Sequence, residues 1–235
     1  GMNALDDATT TSENIAIGHG ALGVYTGTNG LAIGSATLAN NTGASNTGVG
    51  YNVMYTNTTG ANNTAVGYNS LYANTTGGTN TAVGVSSLVA NEGGSSNSAF
   101  GSGALASNVS GSSNTALGYN ALNVNTTSNN TAVGYGALDA NTSGTSNTAV
   151  GKNALSTNID STSSTAVGRE ALASSEGAYN TAVGAFCLDA NTTGANITGV
   201  GYNCLTSHTT GTSNTAFGDG AGSSTTTGTN NTAVG

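Results

Sequence analysis

Asn63-Thr64-Ala65-Val66-Gly67 is one copy of a phrase that returns every 16 or 17 residues, its glycine falling at Gly18, Gly34, Gly50, Gly67, Gly84, Gly101, Gly118, Gly134, Gly151, Gly168, Gly184, Gly201, Gly218 and Gly235. Copies so evenly spaced read as a solenoid, in which each short unit stacks on the one before it. The sequence therefore predicts an all-β protein: a parallel β-solenoid of about 14 coils with a 16–17-residue period. Function is expected in a long repeated surface.

Numbering from the motif glycine as zero, the copies define rows. Position −1 is apolar in every copy, from Ile17, Ile33 and Val49 through Phe100 and Leu117 to Val234, and is expected to face a core. Position +4 is leucine from Leu22 through Leu88 and Leu138 to Leu205, with Met54 standing in once and Gly222 breaking the row. It is expected to be a second core row on a second strand, so that each coil carries strands at −4 to −1 and around +3 to +6. Side chains alternate along a strand, so −3 shares the face of −1. It is Ile15 and Leu31, then Thr or Ser. Asparagine dominates −4 and also +7, as in Asn74, Asn91, Asn125 and Asn191. Its amide suits turns and forms ladders when identical residues stack, so both rows read as structural.

Position −2 is alanine, or glycine at Gly48 and Gly199. Excluding every larger or polar residue implies that something approaches this face closely: the second layer of the same coil or a neighbouring subunit. The subunit reading makes Ala65, Ala82, Ala99, Ala116, Ala132, Ala149, Ala166 and Ala182 a candidate interface row. Position +1 tolerates any size or charge and is expected to face solvent. Its Tyr51, Tyr68, Tyr119, Tyr135 and Tyr202 form a candidate surface-contact row, tyrosine offering flat amphipathic area at low entropic cost. Packing over neighbouring coils is the alternative for these rings.

The chain has 235 residues, 37 glycines, no proline or tryptophan, and a net charge of −8. Disorder has no need of apolar residues held in register, so burial must be linear, a little in each coil. With Lys152 and Arg169 the only Lys or Arg, nothing neutralises a phosphate backbone or an anionic leaflet, which argues against nucleic-acid and membrane-surface partners. No apolar run reaches transmembrane length. Residues 1–12 read as a leader beginning with a glycine left by tag removal, and 13–235 as a single β-roll repeat domain, a piece of a longer fibre.

Catalytic and metal chemistry need convergent titratable groups. The carboxylates occupy no common row, and His19 and His208 lie about eleven coils apart. No calcium-roll aspartates recur. No catalytic, cofactor or metal residue is assigned, and the chain reads as a non-enzyme. Cys187 and Cys204 fall at +3 of adjacent coils, within backbone range of a disulfide, but stacked parallel side chains aim poorly, and a pair of small free thiols is the simpler reading. Sequons such as Asn57-Thr58-Thr59 follow from composition.

Asn14-Ile15-Ala16-Ile17-Gly18 resembles the head repeat of YadA-like trimeric autotransporter adhesins. Asn130-Thr131-Ala132-Val133-Gly134-Tyr135-Gly136-Ala137-Leu138 is similar to repeats of phage tail-fibre proteins. The resemblance covers residues 13–235, with a longer period than the usual adhesin head and Thr in place of the aliphatic residue at −3 from Thr47 onward. It implies a left-handed parallel β-roll with three chains about one axis, on a bacterial cell surface or virion fibre, attaching to host glycans or matrix proteins. It carries over no binding residue. A passive spacer in a fibre is the alternative. An ice-binding solenoid is a further alternative, opposed by a regular Thr row expected on the core-facing side and by Thr-Thr turns that vary in length.

Overall fold

The computed structural model describes residues 1–6 and 13–235. The chain forms a parallel β-solenoid in two compact units, Gly1–Leu117 and Gly118–Gly235. The first carries β1 (Ile15–Ile17), β2 (Leu31–Ile33), β3 (Thr47–Tyr51), β4 (Thr64–Tyr68), β5 (Thr81–Val83), β6 (Ser98–Phe100) and β7 (Thr115–Leu117). The second carries β8 (Thr131–Val133), β9 (Thr148–Val150), β10 (Thr165–Val167), β11 (Thr181–Val183), β12 (Thr198–Val200), β13 (Thr215–Phe217) and β14 (Thr232–Val234). Within each unit consecutive strands pair in parallel, like row on like row: Thr64↔Thr81, Ala65↔Ala82 and Val66↔Val83 in one, Thr148↔Thr165 and Ala149↔Ala166 in the other. No helix occurs among the described residues.

Each coil holds one strand, where the sequence led us to expect two. The segment around +3 to +6 is a turn, because +2 and +4 both take left-handed backbone, as at Asn69 (φ 52°) and Leu71 (φ 53°). Position −5 does the same, as at Asn62 (φ 59°). The turn is still tied coil to coil, Leu71 N–H donating to Ser87 O at 2.9 Å and Leu155 N–H to Ala171 O at 3.0 Å. A left-handed Leu costs roughly 1–2 kcal/mol. Full burial of its side chain stabilises by about 1.5–3 kcal/mol, so burial wins and the leucines of +4 turn inward.

The two faces of the strand are the reverse of the expectation. Ala65, Ala82, Ala99, Ala116, Ala132, Ala149, Ala166 and Ala182 are fully buried inside their own chain, so they are no subunit interface. The −1 row points outward, leaving Ile17 57%, Leu117 49% and Phe217 46% exposed. The reason is the nearness of the opposite wall. A Cβ at Gly48 would stand 2.6 Å from Thr37 Cγ2 and 3.5 Å from Leu38 Cγ, and one at Gly199 2.7 Å from Cys187 Sγ and 3.3 Å from Leu188 Cδ1. The −2 side chains thus meet +3 and +4 across a space that admits little more than a methyl group. Both glycines of that row fall where +3 carries Thr37 and Val53, or Cys187 and Cys204, instead of the usual alanine. Core volume is conserved between facing rows.

The rest of the interior is mostly polar, with Ile197 a buried apolar member of the −4 row. In the +7 ladder Asn91 Nδ2 donates to Asn74 Oδ1 at 2.8 Å and to Gly94 O at 3.0 Å, and Asn108 Nδ2 donates to Asn91 Oδ1 at 3.0 Å. In the −4 ladder Asn63 Nδ2 donates to Gly77 O at 2.9 Å and Asn63 Oδ1 accepts the Asn80 N–H at 2.8 Å. Buried amides are tolerable because repeat satisfies repeat along the ladders, with Asn108 Oδ1 a buried exception that has no partner among the described residues. Tyr25 replaces the ladder residue in one coil, its hydroxyl bonding Thr28 O, and Gly27 and Gly30 leave it room.

The motif glycine is required twice over. Its φ is +139° at Gly67, and a Cβ there would lie 2.4 Å from Gly84 O. Gly1 occupies this place one period before Gly18. Asn3 and Leu5 take the left-handed +2 and +4 conformations, and Leu5 N–H donates to Ala21 O at 3.2 Å. Residues 1–6, read from sequence as a leader, therefore follow the coil path.

Candidate binding surface

Among the described residues no pocket is present, and no group of three His, Cys, Asp or Glu side chains converges on a metal-sized site. No helix there is long and apolar enough to cross a membrane. What the coils offer outward is the strand face and the row that follows it.

The +1 backbone is hydrogen-bonded from coil to coil. In the second unit the +2 N–H of each coil donates to the +1 carbonyl of the coil before: Gly136 to Tyr119 (3.0 Å), Asn153 to Tyr135 (2.9 Å), Glu170 to Lys152 (2.9 Å) and Phe186 to Arg169 (2.9 Å). The five tyrosines singled out from sequence, Tyr51, Tyr68, Tyr119, Tyr135 and Tyr202, are all exposed, as expected. The structure pairs four of them. Tyr51 stacks on Tyr68 with ring centroids 5.6 Å apart, and Tyr119 on Tyr135 at 5.4 Å. Tyr202 meets Phe186 edge to face at 6.2 Å. The rings thus pack over neighbouring coils and remain open to a partner.

Other members of this surface escaped the sequence reading. Tyr55 and Tyr72 stack at 5.6 Å from position +5, a pairing their spacing of one period could have revealed. Phe186 stands at +2 with φ 57°, and the Arg169 guanidinium lies 4.3 Å from its ring centroid. Lys152 Nζ lies 6.0 Å from the Tyr135 centroid.

The titratable groups are dispersed. His19 is exposed, whereas His208 is buried in the +7 ladder, its Nε2 taking the Asn214 amide at 2.9 Å and its Nδ1 facing Asn191 Oδ1 at 3.3 Å. This assigns the neutral tautomer with the proton on Nδ1. Cys187 and Cys204 are free and buried. Burial pushes both thiols up, and their proximity to each other adds to the rise at Cys187, so neither is a thiolate nucleophile. Asn57 of the sequon is buried with its amide in the ladder, donating to Gly60 O.

No protein-family model, curated protein or solved structure matches this chain.

Proposed function

We propose that this protein is a non-catalytic attachment module of an extracellular fibre, an adhesin head of a bacterial cell surface or a segment of a phage tail fibre, that assembles as a homotrimer and engages a host-surface glycan or matrix protein. The observation that carries the reading is the outward strand face. Its −1 row turns a file of Ile, Val, Leu and Phe side chains outward, Ile17, Leu117 and Phe217 about half exposed and Val66, Val133 and Val150 partly so, with Thr beside it, on strands whose backbone is already paired. Contiguous apolar surface of this kind marks an interaction site. Packing three copies through it, in the left-handed trimeric form that the resemblance implies, would bury that file and leave the +1 tyrosines at the rim for a ligand. Assembly now rests on this face and not on the buried alanines.

The test is mass and capture. Light scattering should give about three times 22.5 kDa, and Val133→Lys with Val150→Lys should reduce it to one chain with an unchanged circular dichroism spectrum. A glycan and matrix-protein array should capture the trimer. A trimer that captures nothing is a passive spacer.

One observation favours a second reading. Thr and Val alternate outward, as in Thr148-Ala149-Val150, which removes one of the two grounds against ice binding. A monomer with thermal hysteresis would give the face to ice; a trimer without it would not.

A further inference from the structure

We propose that Lys152 and Arg169, with the rings of Tyr135 and Phe186 beside them, form a binding strip for an acidic polysaccharide, its sulfate or carboxylate groups seated on the two cations and its sugar faces against the rings. This rests on the reading of the chain as an attachment module and names the ligand class of its +1 row.

The chain carries two cationic Lys or Arg side chains against a net charge of −8, and both stand exposed at the same position of consecutive coils. The Glu170 N–H bond to Lys152 O fixes the register, placing the two Cα atoms roughly 4.8 Å apart, the spacing of stacked strands. Like charges set side by side on neighbouring strands repel. Glu170 follows Arg169 directly and Asp219 shares the row three coils on, yet neither forms an ion pair with Lys152 or Arg169 among the described residues. An external anion with oxygens for both would offset that repulsion through charge-assisted hydrogen bonds.

The flanking rings supply the second, independent observation. Phe186 holds a bulky side chain in the left-handed region, at a position that elsewhere carries Gly, Asn, Ser, Ala or Glu. Its ring meets Arg169 on one side and Tyr202 on the other. Phe186 is only partly exposed, and a bulky ring kept in strained backbone there points to use. Tyr119 and Tyr135 continue the strip beyond Lys152. The order ring, ring, cation, cation, ring, ring suits a polymer that alternates sparse charge with flat apolar sugar faces. A nucleic acid does not fit, because two cations neutralise too few phosphates in a chain that is otherwise acidic.

The experiment is calorimetric titration of the intact chain, in its native assembly, with two sparsely charged acidic polymers, hyaluronan and keratan sulfate, and with neutral dextran, at low and at physiological salt, beside the glycan and matrix array. At least one of the two acidic polymers should bind and dextran should not. Lys152→Gln with Arg169→Gln should weaken binding about tenfold and remove its salt dependence, the scale of losing a pair of charge-assisted contacts. Phe186→Asn, which restores a residue usual at +2 and keeps the fold, should weaken it severalfold. Equal binding by the double variant, or equal binding of dextran, overturns the proposal. Capture of some other surface ligand with neither acidic polymer bound overturns it and leaves the attachment reading standing. No capture of any kind overturns both.

Discussion

Asn91→Ala probes the polar interior of the first unit. Asn91 is fully buried, and its amide donates to Asn74 Oδ1 and Gly94 O while its carbonyl accepts from Asn108 Nδ2. Truncation orphans Asn74 Oδ1 outright, at about 1–3 kcal/mol for a buried acceptor. Gly94 O keeps the Asn80 amide at 2.8 Å and Asn108 Nδ2 keeps Gly111 O at 2.9 Å, so each loses one bond of two, at about 0.5–1.5 kcal/mol apiece. The expected loss is therefore about 2–6 kcal/mol, with the low end applying if water enters the vacated space. Glu92→Ala, one residue on and exposed, is the control and should lie within about 0.5 kcal/mol of the parent. Urea unfolding followed by circular dichroism at the β-sheet band measures both, with hydrogen exchange of the Asn74, Asn91 and Asn108 amides reporting whether the loss is local or global. A cost for Asn91→Ala no larger than that of the control would refute the ladder as a source of stability.

Leu155→Ala, at a fully buried left-handed position, should cost about 2–5 kcal/mol, whereas Tyr135→Ala should cost well under that; denaturant midpoints decide it. Gly199→Ala should destabilise by about 1–3 kcal/mol because its Cβ would press on Cys187 Sγ, and Cys187→Ala in the same chain should rescue it, giving a coupling energy readable in a double-mutant cycle. Burial holds His208 below its ordinary value of 6.5, so the unfolded chain takes up its proton first as pH falls. This group's contribution is fully present above about pH 6.5 and is lost on acidification below it. His208→Asn, which restores the usual ladder residue, should flatten that slope in thermal melts scanned from pH 7.5 to 5, values of order one unit either side of that reference.

The sequence announces the period, the parallel stacking, the leucine row and the asparagine ladders, because each depends only on like residues meeting like across one coil. It did not announce which face of the strand turns inward. Ala132 and Val133 are both consistent with a core; the deciding quantity is the distance to the wall formed by +3 and +4, and that distance is set by backbone at Asn120 and Leu122 (φ 53° and 52°). Asparagine hints at left-handed backbone, but leucine does not, so the turn that displaced the expected second strand was hidden by its own core residue. The tyrosines of +1 were legible because variability marks solvent. Phe186 and the Lys152–Arg169 pair were not, since their meaning lies in neighbours one period away.

The repeat changes length in one place. Asn191-Thr192-Thr193-Gly194 has two residues between ladder residue and loop glycine where Ser175-Glu176-Gly177 has one, yet Thr181 pairs with Thr165 and with Thr198 in the same register. These connecting residues, Thr192, Thr193 and Glu176, are exposed. Coils with a loop glycine accordingly carry a port for grafting: a peptide spliced between ladder residue and loop glycine is expected to leave the strand register in place, as the one-residue difference does. Successive ports stand roughly 4.8 Å apart along each unit, a display density set by strand spacing alone.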